Sequence, residues 1–316
     1  MSDRVATTLR SLAAEMSWDE EGRFRLGEGP AIPASEAAIA LRSHLYARYF
    51  CDWRPDGPPS AVVSGDEALV RQFVDATCGA STWESGWRVA SREGNWAFVG
   101  DGRVLLFADA TEQIRPPGAE AGTAVDVRMP CARENLSPGF FYVISPDGPI
   151  RRDGPFLRLY MNVTSAIAPA VLRALVLELP ESRVRFEAKF ANDPARYART
   201  EPGVVYVEPE GYRKALALLL RLRERQSDGW RTGTPLFAKA VAPGLAAAES
   251  PERGADGVEE SFGQHRCRLL ADGVLAGLAQ GERSPEAWDA RVAEAFAKAG
   301  IDVAAPHRHR LPESAF

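Results

Sequence analysis

The sequence has few cysteines and histidines, and no long hydrophobic run. Its 316 residues include only four of each. The cysteines lie far apart and form no CxxC pair, which excludes a cysteine-rich zinc module and gives no disulfide framework. They are Cys51, Cys78, Cys131 and Cys267. We expect them to be buried, reduced thiols in a reducing cytoplasm.

Signals for a membrane, nucleic acid or a nucleotide are also missing. No apolar run approaches the roughly 20 residues that cross a bilayer. The start, Met1-Ser2-Asp3-Arg4, lacks the basic and apolar regions of a secretory signal. The net charge of -5 argues against bulk binding to nucleic acid or an anionic membrane. Neither GxGxxG nor GxxxxGK[ST] occurs, so no familiar nucleotide site is indicated.

Residues 1–115 are predicted to combine helices with a small antiparallel meander, a region that would suit peptide or partner binding. Apolar stripes at helical spacing predict helices over 4–16, 35–50 and 66–77. Short alternating runs separated by turns predict strands over 87–91, 95–99 and 103–108. Residues 53–59 are predicted to be a loop, and residues 111–123 a polar linker.

Residues 124–316 are predicted to form a second α+β domain. Strands are expected over 140–144, 156–163, 183–190 and 204–207, and helices over 166–179, 210–226, 259–280 and 285–299. A Gly/Pro/Ala-rich stretch over 231–258 is predicted to be a loop, and His307–Arg310 a frayed basic end. Strands followed by helices without strict alternation indicate an α+β fold, with a mixed or mainly antiparallel sheet and flanking helices.

Two predicted strands carry unusual charge. A period of two puts Arg158, Tyr160 and Asn162 on one face of the first strand. In the second, Arg183, Arg185, Glu187 and Lys189 share a face opposite four apolar residues. The pattern fits two amphipathic strands with solvated outer faces. It equally fits the floor of an anion site, because guanidinium forks match the oxygen geometry of phosphate.

Several short motifs, taken in order, resemble one known family. They are Arg133 with Ser137–Tyr142, Arg158-x-Tyr160-x-Asn162, Phe186-x-x-Lys189, Arg199 with Val205-Tyr206, Thr234–Phe237 with Lys239, and Ser261-Phe262-Gly263-x-His265-Arg266. Together they resemble the Hop effector A family, first named for type III secretion effectors, over residues 125–280. Some members resemble the lyase proteins of class V lanthipeptide and thioamitide biosynthesis.

The resemblance implies an enzyme that eliminates phosphate from phosphoserine or phosphothreonine and leaves dehydroalanine or dehydrobutyrine. Its substrate would be a precursor peptide phosphorylated by a separate kinase-like protein, and no cofactor is implied. Related phosphothreonine lyases use a lysine base and a histidine acid, and Lys189 matches that lysine. The strand where those enzymes carry Lys-x-His reads Arg158-x-Tyr160 here, which leaves Tyr160 as the first candidate proton donor and His265 as the second.

The remaining implied site residues are cations that would bind the phosphate, and one supporting amide. The cations are Arg133, Arg158, Arg199, Arg266 and Lys239, and the amide is Asn162. Two other functions stay open. In the first, the chain does not eliminate phosphate and is a non-catalytic scaffold that binds a phosphopeptide or a kinase. A phosphatase fits less well, since the sequence shows no cysteine nucleophile in a phosphate-cradling loop and no paired carboxylates for a metal.

Overall fold

The computed structural model describes residues 2–21, 23–52, 65–252 and 260–316. The helices in these ranges are α1 (Asp3–Glu15), α2 (Ala37–His44), α3 (Glu67–Ala76), α4 (Ala168–Glu181), α5 (Pro209–Arg225), α6 (Phe262–Ala279) and α7 (Pro285–Lys298). A π-helical turn, Leu45–Phe50, continues α2, and a short 3-10 helix covers Pro194–Ala198. The predicted loop at residues 53–59 lies outside the described residues.

In the described ranges, the strands form one two-stranded, one five-stranded and one seven-stranded sheet. The first two strands are β1 (Met16–Trp18) and β2 (Phe24–Leu26). The five-stranded sheet contains β3 (Ser81–Glu93), β4 (Trp96–Gly100), β5 (Leu105–Asp109), β6 (Ile114–Arg115) and β7 (Ala124–Pro130). The seven-stranded sheet contains β8 (Ala132–Ser137), β9 (Phe140–Ile144), β10 (Leu157–Met161), β11 (Phe186–Ala191), β12 (Gly203–Val207), β13 (Lys239–Ala242) and β14 (Leu245–Glu249).

The seven-stranded sheet is the frame of the molecule, with helices on both faces. Its strand order is β13-β14-β10-β12-β11-β9-β8, and every described pairing in it is antiparallel. Residues such as Leu159, Ala188 and Val205 point to one core, shared with α3, α4 and α5. Tyr160 and Val204 point to the other, shared with α1, α2, α6 and α7. The α+β class and the antiparallel sheet predicted from sequence are confirmed.

The helix predictions are confirmed to within a few residues at each end, because strong local signals fix the boundaries. Ser261 caps α6 and Ser284 caps α7 by accepting a hydrogen bond from the third backbone N–H that follows. Proline begins both α5 and α7, where its missing N–H costs no helical hydrogen bond.

Contacts cross the predicted boundary between residues 115 and 124. The strand β7 pairs with both β3 and β6, so the five-stranded sheet takes strands from both sides of it. The predicted linker contains β6. Helix α2 packs against α6, and α1 against α7. The N-terminal helices therefore cover one face of the seven-stranded sheet.

Two predictions about irregular segments are wrong. The stretch over 231–258 contains β13 and β14, and β14 is buried beside β10. The C-terminal segment is held rather than frayed: the carboxylate of Glu249 accepts hydrogen bonds from the backbone N–H groups of His309, Arg310 and Leu311 at 2.7 to 3.0 Å. A buried acceptor for three N–H groups fixes this segment against the sheet.

Three of the four cysteines are buried as expected, whereas Cys78 is exposed. It lies just beyond the end of α3, where Arg173 donates a hydrogen bond to its sulfur at 2.9 Å. Among the described residues, no helix has the length and apolarity needed to cross a membrane.

Candidate active site

One face of the seven-stranded sheet brings the two charged strands together. Lys189 lies opposite Tyr142 of β9 on one side and Val204 of β12 on the other. Val204 in turn lies opposite Tyr160, and Tyr142 lies opposite Arg133. Paired residues share a face, so these side chains form one row. Lys189 and Tyr160 are two strands apart, which corresponds to about 10 Å between their Cα atoms.

A second row runs beside the first, two residues further along the strands. Glu187 lies opposite Tyr206, and Tyr206 opposite Arg158. Glu187 and Arg158 are each only 4% exposed. The interpretation of this face as a solvated outer surface is therefore wrong for these two residues. Buried charge of this kind is stable only when it is paired and hydrogen bonded.

The buried carboxylate belongs to a cluster with Tyr142 and Arg152. The hydroxyl of Tyr142 donates a hydrogen bond to Glu187, and Arg152 forms an ion pair with the same carboxylate. Arg152 also donates to the Tyr142 oxygen at 3.1 Å. Burial, and then the charge of Glu187, raises the pKa of Tyr142, so the phenol keeps its proton at neutral pH.

Arg152 and Arg158 are held side by side by aromatic rings. The Arg152 guanidinium lies 5.2 Å from the centre of the Phe156 ring and 5.8 Å from that of Tyr206. That of Arg158 lies 5.9 and 5.1 Å from the same two rings, and its Nε donates to Ser250 Oγ at 3.0 Å. Two guanidinium groups on one pair of rings concentrate positive charge, which Glu187 offsets in part.

Lys189, in the first row, is partly buried. Its Nζ lies 4.5 Å from the centre of the Phe140 ring. Within the described ranges it makes no ion pair, whereas Arg133, Arg152 and Arg199 are each paired with a glutamate. The amine is therefore held by an aromatic ring rather than by a carboxylate, so no carboxylate in the described ranges has to be displaced before it meets a substrate.

Tyr160, the predicted first choice of proton donor, is covered by helices. The rings of Phe50 and Phe262 lie 6.0 and 6.2 Å from its ring, and Tyr160 is 3% exposed. Burial raises the pKa of its phenol, which Arg158 opposes. Because two aromatic side chains cover this phenol, Tyr160 packs the sheet against α6 and is shielded from a peptide substrate.

Arg199 is bound to protein groups on the N-terminal side of the molecule. It forms an ion pair with Glu201 and donates to the sulfur of Cys51 at 3.1 Å and the phenol of Tyr46 at 3.4 Å. Burial lowers the pKa of the guanidinium, but the charge and hydrogen bond of Glu201, together with Cys51 and Tyr46, outweigh burial, so the pKa is raised. These contacts link the segment before β12 to the π-helical turn.

Arg266 and His265 lie beside the C-terminal segment. Arg266 is fully buried, donates to the carbonyls of Pro306 and Arg308 at 2.7 and 3.2 Å, and contacts His265 Nδ1 at 2.7 Å. Burial, and then the charge of Arg266, lowers the pKa of His265 to about 3. This imidazole is neutral at physiological pH, and its Nδ1 accepts from Arg266.

The other predicted ligands lie in different places. Lys239 pairs with Ala247, which pairs with Leu159, so it lies on the face opposite Lys189 and the site, and its Nζ is 6.0 Å from the Phe316 ring. Arg133 shares the row of Lys189 but is ion-paired with Glu84 of the five-stranded sheet.

Asn162 lies just beyond β10, where Nδ2 donates to the carbonyl of Gly233 at 2.9 Å. Its buried Oδ1 has no hydrogen-bond partner among the described residues. These contacts position the chain ahead of β13.

A cavity of about 330 Å³ opens beside Arg152. Arg152, Phe156 and Ser250 line it together with Glu249 and Arg310. The cavity therefore reaches Arg152 and Ser250, the partners of Glu187 and Arg158 in the second row, and Lys189 lies outside its lining. In the described part of the chain, no group of three or more His, Cys, Asp or Glu side chains is arranged to hold a metal ion.

Sequence reasoning missed Arg152 and did not assign a role to Tyr142. Arg152 lies in the turn between β9 and β10, where no strand pattern indicates which way a side chain points. Tyr142 lies within the Ser137–Tyr142 motif, and the register places it next to Lys189. If the predicted strands 140–144 and 183–190 had been paired in this register, Tyr142 would have been placed beside Lys189.

These features describe an α+β protein with a buried, arginine-rich site on one face of an antiparallel sheet. A model of the HopA1 effector protein family matches residues 131–308. The match covers more than half of the chain, so the chain belongs to this family.

Two solved structures with effector titles are similar to the chain. One, the effector protein from Pseudomonas syringae pv. tomato strain DC3000, is 17% identical and has a TM-score of 0.49, over 88% of this chain and 96% of that one. The other, from Pseudomonas syringae pv. syringae strain 61, is 16% identical with a TM-score of 0.49, over 98% and 99%. No curated protein matches the chain.

Proposed function

We propose that the chain is a phosphoserine/phosphothreonine lyase. Its substrate is a precursor peptide phosphorylated by a separate kinase-like protein, and its product is a dehydroalanine or dehydrobutyrine residue. The setting is lanthipeptide- or thioamitide-type peptide maturation in the cytoplasm. The observation that carries this proposal is the position of Lys189. This amine has no ion pair among the described residues, and it lies beside Tyr142 in a row that runs next to two clustered guanidinium groups.

The chemistry needs a base, an anion site and a leaving phosphate. Lys189, as the base, removes the α-proton of the phosphorylated residue, and the electrons of that C–H bond form the Cα=Cβ double bond. The Cβ–O bond breaks and the phosphate leaves with its electrons. Because the second pKa of a phosphate monoester is about 6, the group departs as a stable anion that cations hold well.

Arg152 and Arg158 are the proposed phosphate ligands, and Tyr142 is the proposed proton donor. The two guanidinium groups share the Phe156 and Tyr206 rings, and Arg152 lines the open cavity. Tyr142 is the direct cross-strand neighbour of Lys189 and keeps its proton at neutral pH. It replaces Tyr160 in this role because Tyr160 is covered by Phe50 and Phe262.

The test compares Lys189→Ala with Lys298→Ala, which removes an exposed lysine at the end of α7. The substrate is a phosphopeptide, and release of phosphate is followed together with thiol addition to the dehydro residue. A positioned base is worth about 100- to 10,000-fold in rate, so Lys189→Ala loses at least 100-fold and Lys298→Ala stays at the wild-type rate. Equal rates for the two variants would remove Lys189 from the mechanism.

The second candidate is a non-catalytic scaffold that binds a phosphopeptide or a kinase. It is favoured by the pairing of Arg133 with Glu84 and Arg199 with Glu201, and by the carbonyls that Arg266 binds. Three predicted phosphate ligands are thus engaged by protein groups. A phosphopeptide that binds, with no change in mass and no effect of Lys189→Ala, would establish this function.

A further inference from the structure

The strand β5 is an edge strand whose backbone is open on one side. It ends the order β5-β4-β3-β7-β6. Ala110 donates to the carbonyl of Asn95 at 2.7 Å, which fixes the hydrogen-bonded pairs of the β4–β5 ladder. Since such pairs alternate along an antiparallel ladder, the N–H and C=O groups of Leu105, Phe107 and Asp109 point away from β4.

The backbone of Asp109 shows this outward direction directly, because both of its hydrogen-bonding groups bind Gln113 rather than β4. Its N–H donates to Gln113 Oε1 at 2.8 Å and its carbonyl accepts from Gln113 N at 2.9 Å. Within the described ranges, the backbone groups of Leu105 and Phe107 have no such partner. Four hydrogen-bonding groups are therefore available to an added strand.

The side chains beside this edge are aromatic and exposed. Phe107 is 58% exposed, Trp96 47% and Phe98 40%, and Phe107 stacks on Trp96 with 4.8 Å between ring centroids. The register places Phe98 directly opposite Phe107. Proteins usually protect an edge with lysine, proline or a bulge, and β5 has none of them. An open edge next to an apolar patch is a template for a strand.

We propose that β5 binds an extended apolar segment of the precursor peptide, away from its phosphorylated residue, as a sixth strand of this sheet. This rests on the proposed function for the identity of the peptide. Backbone pairing supplies affinity, and the rings of Trp96, Phe98 and Phe107 select apolar side chains at alternate positions.

The size of the patch favours a peptide over a second copy of the chain. Rings of 150–250 Å², exposed by about half, contribute about 300 Å² in total, and Leu105 brings the patch to about 400 Å². A stable dimer buries about 800 Å² on each partner. The chain also passes from β7 of this sheet to β8 of the other across a single residue, Cys131. A peptide that binds both sheets would gain local concentration at the site.

The first experiment measures binding of the unphosphorylated cognate precursor to the full chain by fluorescence anisotropy. Phe107→Lys is expected to weaken binding at least tenfold, whereas Leu177→Lys, at an exposed apolar position of α4, leaves it unchanged. Hydrogen exchange gives the second readout: the amides of Leu105 and Phe107 gain protection when the peptide binds, and that of Ala108, directed at β4, does not. Unchanged affinity for Phe107→Lys, or no protection of these two amides, would overturn the proposal.

Two further outcomes separate this inference from the lyase function. If both proposals hold, the Phe107→Lys variant converts a short phosphopeptide that lacks the apolar segment at the wild-type rate. If binding depends on Phe107 but no phosphopeptide changes mass, the docking surface stands and the lyase function falls. A dimer in sedimentation that Phe107→Lys abolishes would instead assign the edge to a second copy and overturn the peptide proposal.

Discussion

Glu249→Gln tests how the C-terminal segment is held on the sheet. The carboxylate is 1% exposed and accepts from three consecutive backbone N–H groups, those of His309, Arg310 and Leu311. Hydrogen bonds to a charged group contribute about 1.5–3 kcal/mol and neutral ones about 0.5–1.5, so losing the charge costs about 1 kcal/mol for each bond. The new amide N–H group also faces an N–H donor, which adds about 1 kcal/mol or more.

The expected loss in the free energy of unfolding is therefore about 4 kcal/mol, measured by urea denaturation followed by circular dichroism. Hydrogen exchange at residues 309–311 should accelerate in the same variant. Glu252→Gln is the matched control, because Glu252 pairs with Arg310 from a position that is 42% exposed, and it should cost less than 1 kcal/mol. A Glu249→Gln protein as stable as this control would refute the reasoning.

Three other changes have defined outcomes. Gly263→Ala puts a Cβ atom within 2.7 Å of three ring carbons of buried Phe50, so overpacking of about 1–3 kcal/mol should exceed the helix gain of about 1 kcal/mol and lower the melting temperature. The pKa of His265 is about 3 in the folded protein and about 6.5 in the unfolded chain. The stabilisation that comes from keeping this imidazole neutral is therefore fully present above pH 6.5 and is lost as the pH decreases towards 3. His265 contributes up to about 2 kcal/mol of this loss at pH 5. The melting temperature of His265→Asn should therefore fall less than that of the wild type as the pH is lowered. Tyr142→Phe should lower phosphate elimination at least 100-fold, whereas Tyr160→Phe should stay within about tenfold of wild type; the reverse order would restore Tyr160 as the donor.

Local patterns in the sequence predict most of the helices and the alternation of the central strands. Strand period two correctly puts Lys189 with Glu187, and Arg158 with Tyr160, on single faces. Leu159 and Ala188 point to the opposite core as expected. These features depend on neighbours in the chain, which a sequence displays directly.

Features that depend on strand pairing were not predictable in the same way. β14 reads Leu-Ala-Ala-Ala-Glu, a composition unfavourable for strands, and it is stabilised by burial beside β10 rather than by propensity. The same pairing turns Lys239 to the far face. The partners that engage Arg199 and Arg266, apart from the near neighbours Glu201 and His265, lie 40 to about 150 residues away in the chain.

The most direct test of the lyase function is the mass of a phosphopeptide after incubation with the protein. The peptide is the cognate precursor treated with its kinase, with the phosphorylated site verified beforehand. The proposal predicts loss of the mass of phosphoric acid with the wild type and with Lys298→Ala, and no loss with Lys189→Ala. Loss of only the phosphoryl mass would indicate a phosphatase, and an unchanged mass with the wild type would contradict the lyase function.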